Sequence, residues 1–185
     1  MDTPKKDGIP KVLPVLIVVI FAVMYYFAAF YPATGPEKTV EKFYASYIDK
    51  DFQGMAESVS VFWAVQFLPH HNSEKPSELM AKRATIEKET AAYLAEAPAE
   101  TQTDLTVQVL PEYTKQWENT AMVVYAGFKG EEELGREVAL MLKENNNYYL
   151  YMWIPLENDA VLEEAQASFE KFDADYTKIL ANDEW

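Results

Sequence analysis

His70 and His71 are the two histidines of a 185-residue chain that has no cysteine. Side chains adjacent in sequence diverge, so with Asn72 and Ser73 the pair reads as a surface loop, not a chelate. Absent cysteine excludes disulfides, iron–sulfur sites, thiolate zinc and thiol redox chemistry. Glu131-Glu132-Glu133, Asp173 with Asp175, and Asp183 with Glu184 offer carboxylates, but none sits in the glycine-bearing loop that orders oxygen ligands around calcium. They read as solvated charge. There is no phosphate-cradling glycine loop and no nucleophile elbow. A general base needs reach and a pKa set by burial, and no Asp or Glu falls inside an apolar strand face. Arg136, among apolar strand residues, reads as a solvated edge. The expectation is no catalytic group, no metal and no cofactor.

The elements that would position any site follow from periodicity. From near Glu37, Val40, Phe43, Tyr44, Tyr47 and Ile48 recur at three- and four-residue spacing, one apolar helical face. Asp51 predicts an N-cap for a short second helix with Phe52, Met55, Ala56 and Val59 on its face. Val61 to Pro69 is apolar and aromatic and suits either a helical turn or a strand. Pro76 opens, and Pro98 forbids beyond Glu96, one long helix. From Thr103 the period becomes two. Leu105 to Val109, Thr120 to Phe128, Leu134 to Lys143 and Tyr148 to Ile154 predict four antiparallel strands, with Asn145-Asn146-Asn147 as a hairpin turn. In the last strand, simple alternation sets Leu150, Met152 and Ile154 opposite Tyr149, Tyr151 and Trp153. Helices followed by strands is the α+β order.

After Pro155, Asn158 or Asp159 can cap a final helix. Leu162, Ala165, Phe169, Phe172, Tyr176 and Ile179 are spaced as an a/d seam, too short for a free coiled coil. The seam has to be buried. Its expected mate is the domain itself; a protein partner or a second copy, docking through Phe169, Phe172, Tyr176 and Ile179, is the alternative.

The segment TVEKFYASYIDKDFQGMAESVS, Thr39 to Ser60, resembles the opening of nuclear-transport-factor-2-like (cone-fold, cystatin-like) domains, with paired aromatics and an Asp starting the second helix. REVALMLKENNNYYLYMWI, Arg136 to Ile154, resembles their closing hairpin. The resemblance spans about residues 38 to 155. It implies a strongly curved sheet wrapped round helices, leaving a conical pocket, in a family of isomerase-like enzymes, binding domains and dimerisation modules. Its enzymes direct a Tyr, Asp, Glu or His into the cone. Here that implies Tyr44, Tyr47, Tyr125, Tyr151 and Trp153 as pocket-lining candidates; read as residues alone, they are core aromatics.

Val12 to Tyr31 is twenty residues without a charge. As a helix it spans ~30 Å, the hydrocarbon thickness of a bilayer. Lys5, Lys6 and Lys11 on the short tail predict that residues 1–11 stay cytoplasmic. An uncleaved anchor fits better than a signal peptide, whose apolar core is shorter and ends in a small-residue cleavage site. Residues 32–37 then form a linker holding the outer domain near the lipid. Beyond Tyr31 there are 13 basic and 28 acidic residues, which excludes a general nucleic-acid binder. The sequence predicts a single-pass cell-membrane protein with its C-terminal domain outside. That domain, residues 38–155 with a helix over 156–185, is expected to be non-catalytic and to bind a partner protein or small apolar ligand. A cone-fold enzyme using pocket tyrosines and a structural subunit of a membrane assembly are the alternatives.

Overall fold

The structure, a computed structural model, describes residues 35–96 and 104–185. The predicted tail, the apolar span 12–31 and residues 32–34 of the linker lie outside the described residues. Among the described residues no helix is long and apolar enough to cross a membrane. Residues 35 to 185 form one compact α+β unit built on a curved antiparallel sheet.

Helix α1, Pro36–Asp49, takes Pro36 at its first turn, where a missing N–H costs nothing. The helix therefore claims Pro36 and Glu37 from the predicted linker. Val40 and Phe43 are buried. It stops at Lys50, whose left-handed backbone lets its N–H reach Ser46 and Tyr47 carbonyls. The Asp51 carboxylate then accepts from the Gly54 N–H at 3.0 Å and caps helix α2, Phe52–Ala56. A Cβ on Gly54 would lie 2.3 Å from Ser46 Oγ and 2.4 Å from Asp51 Oδ2, so the α1–α2 corner admits only glycine without movement. Gly54→Ala is expected to displace the cap and cost about 1–2 kcal/mol in urea melts; an unchanged melt would show the corner to be slack.

Ser60 caps helix α3, Val61–Ala64, by accepting from the Phe62 N–H, which decides between the two readings of this apolar run. A 3-10 turn over Pro69–His71 follows. The predicted single helix after Pro76 is two, α4 (Pro76–Ala81) and α5 (Arg83–Glu96), broken at Lys82. The break lets Leu79 and Ile86, both fully buried, enter one apolar cluster with Val61 and Leu142. It also points Arg83 at the buried Glu144 carboxylate.

The strands are β1 (Leu105–Val109), β2 (Lys115–Gln116), β3 (Thr120–Lys129), β4 (Glu132–Glu144) and β5 (Asn147–Pro155). The order is β1-β3-β4-β5, with the two-residue β2 also on β3. Asn145 and Asn146 take positive φ in the β4–β5 turn, as asparagine tolerates. Residues 58–60 lie along β5, with Ser60 N–H to the Leu150 carbonyl and Leu150 N–H to the Ser58 carbonyl.

One sheet face, Ala121, Val123, Ala139, Met141 and Leu150, packs on α1 and α2 through Val40, Phe43 and Met55. The opposite face, Met122, Val124, Val138 and Leu140, packs on Leu162, Ala165 and Phe169 of helix α6, Asp159–Asn182. Asn158 caps α6 by accepting from the Ala160 and Val161 N–H groups. The seam is thus covered in cis: Phe169 and Tyr176 are buried, Phe172 and Ile179 half-buried. Asp173, read from sequence as solvated, is buried and accepts from the Asn119 N–H and the Thr120 hydroxyl, each at 2.9 Å. Asp183 likewise accepts from Ser77 N–H and hydroxyl, tying the end of α6 to α4.

Candidate functional site

Between the α1 face and the sheet lies a cavity of about 570 Å³. Helices supply Phe43, Tyr44 and Tyr47 from α1 and Trp63 from the end of α3. The sheet supplies Tyr125, Glu137 and Trp153. Gly127 and Gly135 pair across β3 and β4 where the register shifts. Both border the cavity, and neither position would bring a Cβ closer than 3.9 Å to another residue. The volume exists because side chains are missing there. Leu134 and Trp153 are exposed at the rim.

Four of the five predicted residues, Tyr44, Tyr47, Tyr125 and Trp153, line this cavity. Tyr151 does not. The β4–β5 register shifts so that Leu140 pairs with Met152 and Met141 with Leu150, leaving Tyr151 as the extra residue of a bulge. It turns to the α6 face and stacks on Phe172, centroids 5.8 Å apart. The same bulge puts Leu150 and Trp153 on one face, against the simple alternation. Arg136 is exposed, as expected of a solvated edge, and also borders the cavity while donating Nε–H to Glu133 at 2.9 Å.

The polar station is Glu137, which the sequence reading passed over. Its Oε2 accepts from the Tyr44 hydroxyl at 3.1 Å and from the closer Tyr125 hydroxyl. The two phenol oxygens are themselves 2.8 Å apart. Strand parity was the available signal: Glu137, Ala139 and Met141 alternate on the face that meets α1. Glu137 read instead as the polar flank of the apolar run it begins.

Burial holds the Tyr44 and Tyr125 hydroxyls above the usual phenol range, with the nearby Glu137 charge adding to the effect; burial does the same to Tyr176. A phenol whose folded pKa exceeds its unfolded value of about 10 binds more protons folded than unfolded above that pH. Its stabilisation is whole below about pH 10 and is lost as pH rises beyond it. Urea melts should show stability falling above about pH 10, less steeply in Tyr44→Phe/Tyr125→Phe. Phenolate absorbance of the native chain should rise by fewer equivalents than its tyrosine count. Full ionisation before unfolding would contradict the buried station.

Aromatic contacts run outward from the cavity. Phe43 meets Trp153 at 6.1 Å, Trp153 meets Trp63 at 6.0 Å, and Trp63 meets Phe67 at 4.9 Å. Phe67 stacks on Tyr93, and both are exposed.

The second polar cluster lies in the 69–89 region. His71 is buried, and both imidazoles approach Glu89, so the expectation of diverging loop histidines is corrected. The 3-10 turn and the α5 helix bring them together. Among the described residues His70, His71 and Glu89 are the group with metal-ligating spacing.

The chain matches no family model, no curated protein and no solved structure.

Proposed function

We propose that this chain is a membrane-anchored, non-catalytic binding domain, held outside the cytoplasm by residues 12–31, whose cavity takes a small, mostly apolar ligand. The cone-like arrangement suggested by the first-helix and closing-hairpin motifs is part of this reading. The observation that carries it is a polar station, Glu137 with Tyr44 and Tyr125, in a cavity of about 570 Å³ walled otherwise by aromatic and aliphatic side chains, with Arg136 at its border beside Glu133. That pairing of apolar walls and few convergent polar groups is the usual form of a small-molecule site. Two phenol protons serve three contacts, so both are spent inside the cluster. What remains for a ligand is acceptor capacity on the carboxylate and phenol oxygens. The ligand that fits this station has an apolar body and a donating head, a hydroxyl or an ammonium; a carboxylate head placed against Glu137 meets repulsion. Aromatic rings around an ammonium add cation–π attraction.

The full chain reconstituted in lipid nanodiscs tests this by native mass spectrometry. One apolar small molecule per chain is expected from wild type and none from Gly127→Leu, which fills the space between facing glycines. Equal occupancy of both proteins would overturn the reading. For location, protease added to intact cells stripped of their outer layers should digest the domain; full protection would place it inside.

The carboxylate–phenol contact favours a second reading, a proton-transfer enzyme of the same fold. It requires Glu137 to exchange a proton with a carbon acid. Solvent deuterium incorporation into apolar ketones, present in wild type and absent in Glu137→Gln, would favour it over binding alone.

A further inference from the structure

We infer that His70, His71 and Glu89 form a binding site for one divalent transition-metal ion of the zinc type. His70 Nε2 and His71 Nε2 lie 2.8 Å and 3.1 Å from the same atom, Glu89 Oε2. The rings are 4.2 Å apart and tilted by 41°, and ligand atoms of all three residues lie within 4.8 Å of one another. Three donor atoms, two nitrogens and a carboxylate oxygen, are a set that zinc takes in open sites. With bonds of about 2.0–2.1 Å and tetrahedral angles, donors stand roughly 3.3–3.4 Å apart. The two nitrogen–oxygen separations need to open by a few tenths of an ångström.

The outer partner decides which nitrogen is available. Glu74 Oε1 lies 3.0 Å from His71 Nδ1 and is held there by the Lys82 ammonium at 2.7 Å. A carboxylate on Nδ1 keeps the proton on that nitrogen and turns the Nε2 lone pair outward, the tautomer a metal requires. That lone pair then faces the Glu89 carboxylate at 3.1 Å. Two electron-rich atoms at that distance require a proton or a metal ion between them. A second proton on His71 satisfies the pair alone, but the convergence of His70 on the same oxygen supplies a third ligand that a proton does not use. Glu74, Glu89 and Lys82 leave the cluster one negative charge with neutral imidazoles, which favours a dication. His71 and Glu74 are mostly enclosed while His70 and Glu89 are open to solvent, so an ion has an entry path and keeps water as a fourth ligand.

The test uses the tag-free full chain in nanodiscs, titrated with zinc or cobalt(II) alone by calorimetry and by cobalt visible absorption. One ion per chain and an intense low-symmetry cobalt spectrum are expected. His70→Ala, at an exposed side chain that should not disturb folding, is expected to lose the spectrum, and Glu89→Gln likewise. Glu74→Gln is expected to weaken binding by roughly 10–100-fold while leaving the spectrum's shape. No saturable uptake by wild type, or His70→Ala and Glu89→Gln binding as wild type does, would overturn the proposal and leave a protonated histidine pair.

Discussion

Phe169→Asp is expected to cost about 4 kcal/mol or more. The ring is 4% exposed in a cluster with Met122, Val124, Val138 and Leu140 of the sheet and Leu162 and Ala165 of its own helix. Removing a buried phenyl group alone costs about 3–5 kcal/mol through lost transfer energy and the cavity left behind. A carboxylate in its place adds a desolvation penalty that nothing in that apolar cluster offsets. Domains of this size hold about 5–15 kcal/mol in total, so the variant should melt early or fail to fold. The paired measurement is light scattering. The seam is covered in cis, so the loss should appear in the melt. A normal melt with lost association would mean that α6 docks on a second copy instead.

Arg83→Met is expected to cost about 3–5 kcal/mol, and the double variant Arg83→Met/Glu144→Leu to recover most of it. Glu144 is fully buried at the end of β4. Its Oε2 meets the Arg83 guanidinium and the Val61 N–H. Arg83 also donates to Glu87 at 3.1 Å and lies 3.6 Å over the Tyr149 ring. Burial pushes the Glu144 carboxyl upward, against the pull of Arg83. Taking two charges from water is expensive, so such a pair contributes little net stability, but removing one partner strands the other. The double variant separates these statements in denaturant melts. If Arg83→Met alone is harmless, Glu144 is not stranded and the pair does not join α5 to β4.

The seam of α6 was legible because a three-four spacing of large apolar residues has one economical interpretation, a helix with one buried side. The Asp51 and Asn158 caps were legible for a similar reason: a short polar side chain immediately before an apolar period offers its oxygen to unpaired N–H groups. The break at Lys82 was not, since no glycine or proline marks it; it arises because Leu79, Arg83 and Ile86 each have a partner that one straight helix does not serve together. Tyr151 was misplaced because a bulge changes parity by one residue and leaves no mark in composition. Glu137 and Glu144 bracket the run VALMLK and read as its polar flanks. Parity alone places them on opposite faces of β4; the register of β4 against β3 and β5 shows that one enters the cavity and the other the core. The histidine cluster depends on a 3-10 turn and on Glu89, eighteen residues beyond His71 in the chain, a contact that local spacing does not encode.

A tryptophan-fluorescence titration of the full chain, with ligands of one chain length and different heads, measures what the cavity accepts. Trp63 and Trp153 line the cavity and report its filling. Binding in the cavity should give saturable, one-site quenching by the long-chain alcohol and amine. Much weaker quenching is expected from the matching carboxylic acid, with loss of the amine preference in Glu137→Gln and loss of all binding in Gly127→Leu. Quenching that is equal for all three heads, or unchanged in Gly127→Leu, would contradict such binding.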